Sequence, residues 1–307
     1  MTASNNSSQS AQQAITPELR DWIVDQAAAG FPPEKIIEAM IKAGWQESVA
    51  EQALEVTLSD YLRTLSEGRE AAPAPKVGGR RMSGVSVTTK AMPDVDLETS
   101  PRILDLGDRQ VEVLLAMRVP RIVVLGGFLS DQECDALVEA AVPRMKRSLT
   151  VATQTGGEEL NPDRTSDGMF FSRGESELIS AVESRIARLL NWPEVNGEGL
   201  QVLNYQEGAE YKAHYDYFDP NEPGTPAITK RGGQRVGTMV MYLNNPALGG
   251  GTIFPDVSLE VAPQKGNAVF FNYSKPHPST RTLHGGSPVT QGEKWVATKW
   301  LRERQFS

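Results

Sequence analysis

From Thr16 onward the apolar positions recur at helical spacing. Leu19, Trp22, Ile23 and Ala27 form one stripe, Ile36, Ile37, Met40 and Ile41 a second, and Val49, Ala53 and Val56 a third. Gly30-Phe31-Pro32-Pro33 and Gly44-Trp45 break the pattern between stripes, and Thr16-Pro17 supplies an N-cap followed by proline at the first helical position. The spacing predicts a small three-helix bundle over residues 15–62, with Trp22, Trp45 and Phe31 as its compact core. The polar residues 1–14 predict a disordered tail. Residues 63–99, rich in Ala, Pro, Gly, Ser, Arg and Lys, have no periodicity able to bury a face and predict a flexible linker.

Beyond residue 100 the period shortens. Runs at 111–115, 121–125, 200–205, 236–243, 257–261, 268–273 and 295–301 are β-branched, aromatic or alternating, which is the strand signature. Two helices interrupt them. One starts at Ser130, where Ser130 and Glu133 form a capping-box pattern ahead of Cys134, Leu137 and Val138; the other spans about 175–190. Residues 100–307 therefore predict one mainly β domain, a barrel or sandwich with helices packed outside.

Composition narrows the partners. The 31 Lys and Arg against 39 Asp and Glu give a net charge of −8, which argues against nucleic acid as a partner, and residues 1–62 are acidic, with 9 acidic and 3 basic side chains. Cys134 is the one cysteine, so no intramolecular disulfide forms. No charged-then-apolar leader and no apolar run of about 18 residues is present, and the expectation is a cytoplasmic protein with no membrane contact.

Three histidines allow each to be judged singly. His277, between Pro276 and Pro278, reads as a loop residue. His214 and Asp216 are two apart, so on a strand they share a face, and His284 is the natural third member of a two-histidine, one-carboxylate set of the kind that holds non-haem Fe(II). A hydrogen-bonded surface or core pair would give the same His-x-Asp spacing. Lys294 opens an apolar strand: a buried ammonium there needs an anionic partner such as a dicarboxylate, whereas a lysine that reaches the surface along its stem gives the same pattern. Tyr205 and Tyr211 lead into the histidine-bearing segment, while Gly249-Gly250-Gly251 reads as a hairpin turn without the spacing of a phosphate loop.

The runs YQEGAEYKAHYDYF (205–218), GGTIFP (250–255), PQKGNAVFF (263–271) and HGGSPVTQGEKWVATKW (284–300) resemble the Fe(II)- and 2-oxoglutarate-dependent dioxygenases of the collagen-type prolyl 4-hydroxylase family. Upstream, Phe128-Leu129-Ser130 with Glu133-Cys134, and 164–170, resemble that family's opening helix and substrate-side strand. The resemblance implies a double-stranded β-helix (jelly-roll) core with flanking helices. It implies Fe(II) on His214, Asp216 and His284, and 2-oxoglutarate held by Lys294 with Tyr205, Thr252 and Trp300 around it. It also implies O2 as co-substrate and ascorbate as reductant.

The implied reaction is hydroxylation of a prolyl residue in a peptide or protein, coupled to conversion of 2-oxoglutarate into succinate and carbon dioxide. Arg164, Arg235 and Tyr211 are the candidates for substrate contact, with 218–237 and 154–163 as mobile covers over the site. A free amino acid or other small molecule as substrate, and a non-catalytic metal-binding recognition module, stay open at this point. The bundle resembles a ubiquitin-associated domain at Ala29-Gly30-Phe31, from which no ubiquitin binding is inferred; a protein contact or oligomerisation is its candidate role.

Overall fold

The computed structural model describes residues 15–28, 31, 33–67, 92–151, 158–160 and 165–307. The chain divides into two units, 1–87 and 88–307. The first holds α1 (Pro17–Ala28), α2 (Pro33–Lys42) and α3 (Glu47–Glu67). Their shared core is Ile23, Ile36, Met40, Ala50, Ala53 and Leu54, with Trp22 and Trp45 partly buried against it. Phe31 does not join it. It sits between α1 and α2, where no helix turns it inward, and is 52% exposed.

The predicted boundaries also move. Helix α3 runs on to Glu67, so residues 63–67 belong to it. At the far end of the expected linker, Val95 is buried and Met92 and Leu97 pack beside it, while Arg121 Nε donates to Asp94 Oδ1 at 2.7 Å. Apolar residues at 92, 95 and 97 give this stretch a face to bury, which its overall composition conceals. Residues 68–91, most of the expected linker, lie outside the described residues, as does the expected tail at 1–14.

The second unit contains, in chain order, β1 (Ile103–Asp105), β2 (Gln110–Met117), β3 (Ile122–Gly126), α4 (Asp131–Ala141), β4 (Lys146–Arg147), β5 (Asp167–Phe171) and α5 (Glu177–Leu190). There follow β6 (Leu200–Tyr205), β7 (Tyr211–His214), α6 (Thr225–Lys230), β8 (Arg235–Tyr242), β9 (Thr252–Phe254), β10 (Leu259–Val261), β11 (Ala268–Asn272), β12 (His284–Gly286) and β13 (Lys294–Arg302). Two short ribbons, Leu149–Val151 with Glu158–Leu160 and Leu248–Gly249 with Val289–Gln291, complete the described strands.

The large antiparallel sheet runs β1-β2-β3-β11-β8-β13-β6-β5-β4, and the smaller runs β10-β9-β12-β7. Across β6 to β13 the pairing is first with last: β6 with β13, β7 with β12, β8 with β11 and β9 with β10. That nesting is a jelly roll, as the family resemblance implies.

Alternation explains the layers. On β3, Val123 and Leu125 face the helices and Ile122 and Val124 face the opposite core, because successive side chains point to opposite sides. All nine residues of β13 are buried. Trp295, Ala297 and Leu301 join the helix-side core with Cys134 and Leu137 of α4 and Ile179, Val182 and Ile186 of α5. The intervening positions 294, 296, 298 and 300 line a pocket on the other face. Helix α4 starts at Ser130 with a complete capping box: Ser130 Oγ accepts from Glu133 N at 3.1 Å, and Glu133 Oε2 accepts from Ser130 N at 2.7 Å.

Candidate active site

Register builds the site. On adjacent strands of the small sheet His214 pairs with His284, and Asp216 follows two residues after His214. Each imidazole has its Nδ1 beside a backbone carbonyl two residues earlier, Lys212 O for His214 and Thr282 O for His284, both at 2.9 Å. This fixes Nδ1 as the protonated nitrogen and leaves Nε2 as a lone-pair donor. The two Nε2 atoms approach the same carboxylate, His214 at 3.5 Å from Asp216 Oδ1 and His284 at 3.3 Å from Oδ2.

One donor atom from each of the three residues lies within 4.8 Å of the others. Thr238 Oγ1, on β8, donates to Asp216 Oδ2 at 2.7 Å and lies 3.1 Å from the Tyr273 hydroxyl. Burial disfavours ionised Asp216, but the neighbouring imidazoles outweigh it and hold the carboxyl well below its ordinary range. Burial pushes His214 down as well, toward the neutral form a ligand requires. Two imidazoles and one carboxylate, pre-oriented and open to a pocket, are a donor set that fits Fe(II).

The same pocket contains Lys294, Tyr205, Tyr211, Thr252 and Trp300. Lys294 pairs with Tyr205 across β6 and β13, and its Nζ lies 5.4 Å from the Tyr205 ring and 5.9 Å from the Tyr242 ring. Tyr242 donates to Thr252 Oγ1 at 2.7 Å, fixing that hydroxyl beside the cavity. Burial pushes the Lys294 ammonium down to about 8, partly offset by Glu260. Among the described residues it has no ion pair, so a buried cation faces the pocket without the anion it needs. Gly250 leaves room for its stem, since a Cβ there would come 3.1 Å from Lys294 Cδ.

Two expected substrate contacts stand differently. Tyr211 lines the pocket and stacks on His214, with centroids 3.8 Å apart. Arg235 does not line it: its guanidinium is engaged by Glu198 at 2.7 and 2.9 Å. Arg164 lies outside the described residues, as do 154–157 and 161–163 of one expected cover. The other, 218–237, contains α6, and Gln234 closes its base by accepting from Phe218 N and donating to Phe218 O, both at 2.8 Å. His277 caps a short turn in a loop.

Thr238, Tyr242, Thr298 and Glu198 were not legible as site residues. Thr238 and Thr298 carried one signal, a polar residue at an inward position of an apolar strand.

A jelly roll with a two-histidine, one-carboxylate cluster and a buried lysine further along the same pocket defines the class of metal-dependent oxygenases. The family model for the 2OG-Fe(II) oxygenase superfamily matches residues 200–302, the span of β6 to β13. Prolyl 4-hydroxylase 5 of Arabidopsis thaliana is 39% identical over 221 residues, 65% of this chain and 74% of the relative; prolyl 4-hydroxylase 1 of the same plant is 41% identical over 209, 61% and 71%. Among solved structures, the viral collagen prolyl hydroxylase of Paramecium Bursaria Chlorella virus-1, in complex with 2OG, aligns over 59% of this chain and 95% of its own. Its TM-score is 0.46 and its identity 33%.

The chain belongs to the prolyl 4-hydroxylase family of 2OG-Fe(II) oxygenases. It is a 2-oxoglutarate-dependent dioxygenase, for which Fe(II), 2-oxoglutarate and O2 are the implied reactants.

Proposed function

We propose that this dioxygenase hydroxylates prolyl residues in a peptide or protein, with Fe(II) held by His214, Asp216 and His284 and 2-oxoglutarate by Lys294. The observation that carries the assignment is the buried Lys294 ammonium, without an ion pair among the described residues, lining the same pocket as the three converged side chains. Bound Fe(II) supplies O2 activation, coupling oxidative decarboxylation of 2-oxoglutarate to insertion of one oxygen atom into a C–H bond.

The chain's own residues do the rest. Lys294 takes the distal carboxylate of the co-substrate, with the Thr252 hydroxyl and the Tyr205 ring flanking it. The backbone carbonyls of Lys212 and Thr282 keep both imidazoles in the ligating tautomer, and Thr238 orients Asp216. Trp300, expected beside the co-substrate, lines the same pocket as Tyr211, and the two present aromatic surface on which a pyrrolidine ring can also pack.

Conversion of 2-oxoglutarate to succinate by the Fe(II)-loaded protein, with a panel of proline-containing peptides and mass spectrometry on each, tests the reading. Peptide-stimulated turnover that adds one oxygen at proline, and that His284→Ala or chelation abolishes, is expected. Turnover without peptide oxidation would redirect the substrate to a free amino acid or other small molecule, and iron binding without turnover to a recognition module. We further infer ascorbate as the sustaining reductant, tested by its omission. A cytoplasmic setting is supported by the single, buried Cys134. A protein contact or oligomerisation through the bundle is tested by deleting residues 15–67 and measuring turnover and particle mass.

A further inference from the structure

Glu198 reaches the interior between two glycines. A Cβ on Gly197 would lie 2.5 Å from Lys299 Cε, and one on Gly199 would lie 2.5 Å from the Phe171 carbonyl oxygen. The segment is thus pressed against both β13 and β5, and Glu198 N donates to Trp300 O at 3.0 Å. At Gly199 the neighbour is backbone, so no side chain fits there without moving β5, and the sequence Gly-Glu-Gly delivers a carboxylate where the chain has little slack.

That carboxylate, 10% exposed, serves two guanidinium groups. Arg235 donates from Nε to Oε1 at 2.7 Å and from Nη2 to Oε2 at 2.9 Å, and Arg302 Nε lies 3.0 Å from the same Oε1. Arg302 also donates from Nη1 to Gly233 O at 2.7 Å. The Arg235 Cζ then lies 4.0 Å over the Trp300 ring and 4.9 Å over Phe218, and the Arg302 Cζ lies 5.0 Å over Phe218.

Of the two rings, Trp300 belongs to the active-site wall, and Phe218 packs on the guanidinium groups behind it. Trp300 lines the pocket and stands in register opposite Thr238, whose hydroxyl binds Asp216; Phe218 is two residues beyond Asp216. A guanidinium stacked on an indole fixes the ring only as firmly as it is itself fixed. Glu198 supplies that fixture.

We propose that Glu198 is a positioning residue, which by anchoring Arg235 holds Trp300 as the wall against which substrate docks. The inference rests on reading this pocket as the site of prolyl hydroxylation, and it assigns Arg235 to the wall's support rather than to substrate contact. A second buried ion pair, Glu183 with Lys299, provides the control: it lies on the opposite, helix-side face of β13, and neither residue lines the pocket.

The test uses the full chain carrying 5-fluorotryptophan, whose five resonances are assigned for Trp300 by Trp300→Phe. In Glu198→Gln the Trp300 fluorine resonance is expected to shift or broaden, and in Glu183→Gln to stay in place. With a proline peptide that the wild type turns over, Glu198→Gln is expected to raise peptide KM about tenfold, with the 2-oxoglutarate KM moved less than about twofold. In a Trp300→Phe background the same change should raise peptide KM no further, because its effect passes through that ring.

A Trp300 resonance and a peptide KM both unmoved in Glu198→Gln would overturn the proposal, as would an equal effect from Glu183→Gln. If Glu198→Gln fails to fold, Arg235→Lys, which keeps the charge and loses the flat stack, carries the same comparison. If the wild type oxidises no proline peptide, the functional reading fails while the fluorine comparison still decides whether Glu198 positions Trp300.

Discussion

Thr238 and Trp300 are paired residues on neighbouring strands, and they bracket the metal side of the pocket: the threonine hydroxyl holds Asp216 Oδ2 at 2.7 Å while the indole forms the wall beside it. One rung of the large sheet therefore connects ligand orientation to the docking surface.

Thr238→Val keeps the side-chain shape and removes the hydroxyl that orients Asp216. Metal affinity is expected to fall about 10–100-fold, the usual cost of losing a partner behind a ligand. Titration with Mn(II), followed by calorimetry, checks this; an unchanged dissociation constant would show that the two imidazoles position the carboxylate without help.

The proposed role of Lys294 predicts a pH dependence for co-substrate binding. Burial pushes its ammonium down to about 8, and a bound dicarboxylate favours the charged form. Above pH 8 binding must take up a proton, so affinity for 2-oxoglutarate should fall about tenfold per pH unit. Calorimetry on the Mn(II)-loaded protein between pH 7 and 10 measures it, and a flat profile would remove Lys294 as the carboxylate partner.

The same group costs stability. Its folded value, about 8, lies below the ordinary 10.5, so between these values the unfolded chain holds more protons and stability rises with pH; below about 8 the cost is complete. Lys294→Met should therefore gain about 3 kcal/mol near neutral pH while losing 2-oxoglutarate binding. Urea unfolding at pH 7 and pH 10 should show the gain shrinking at the higher pH.

Glu183 and Lys299 form an ion pair buried on both sides, 4% and 3% exposed. Glu183→Gln removes one charge and leaves the other enclosed, and a loss of about 3 kcal/mol is expected. Urea unfolding measures it; a loss below about 1 kcal/mol would mean that Lys299 escapes to solvent or sheds its proton at little cost.

The parts of this protein that were legible in advance are those where one residue type performs one job at fixed spacing. Ser130 with Glu133 marks the start of α4, and 200–205 coincides with β6 because its periodicity and boundaries agree. His214, Asp216 and His284 could be grouped because three histidines leave few combinations, and the structure brings the three together. What was not legible depends on the partner strand. Phe31 carries an apolar side chain but no element to bury it, and Met92, Val95 and Leu97 sit in a composition that hides their packing. Arg235 was readable as a free guanidinium only because Glu198 is far from it in sequence.

The first-with-last pairing of the jelly roll has a kinetic side. One edge of strand β6 pairs with β5, near in the chain, but the other is filled only by β13, so the Tyr205 and Lys294 pair joins residues that are distant in the chain, and β7 likewise waits for β12. Contacts of such high sequence separation make closure slow, in the millisecond-to-second range typical of β folds of this kind. A growing chain that has emerged as far as His284 carries all three ligands but lacks the strand that closes the pocket floor. On the proposed assignment of Lys294, competence to bind 2-oxoglutarate thus arrives only after His284 has emerged.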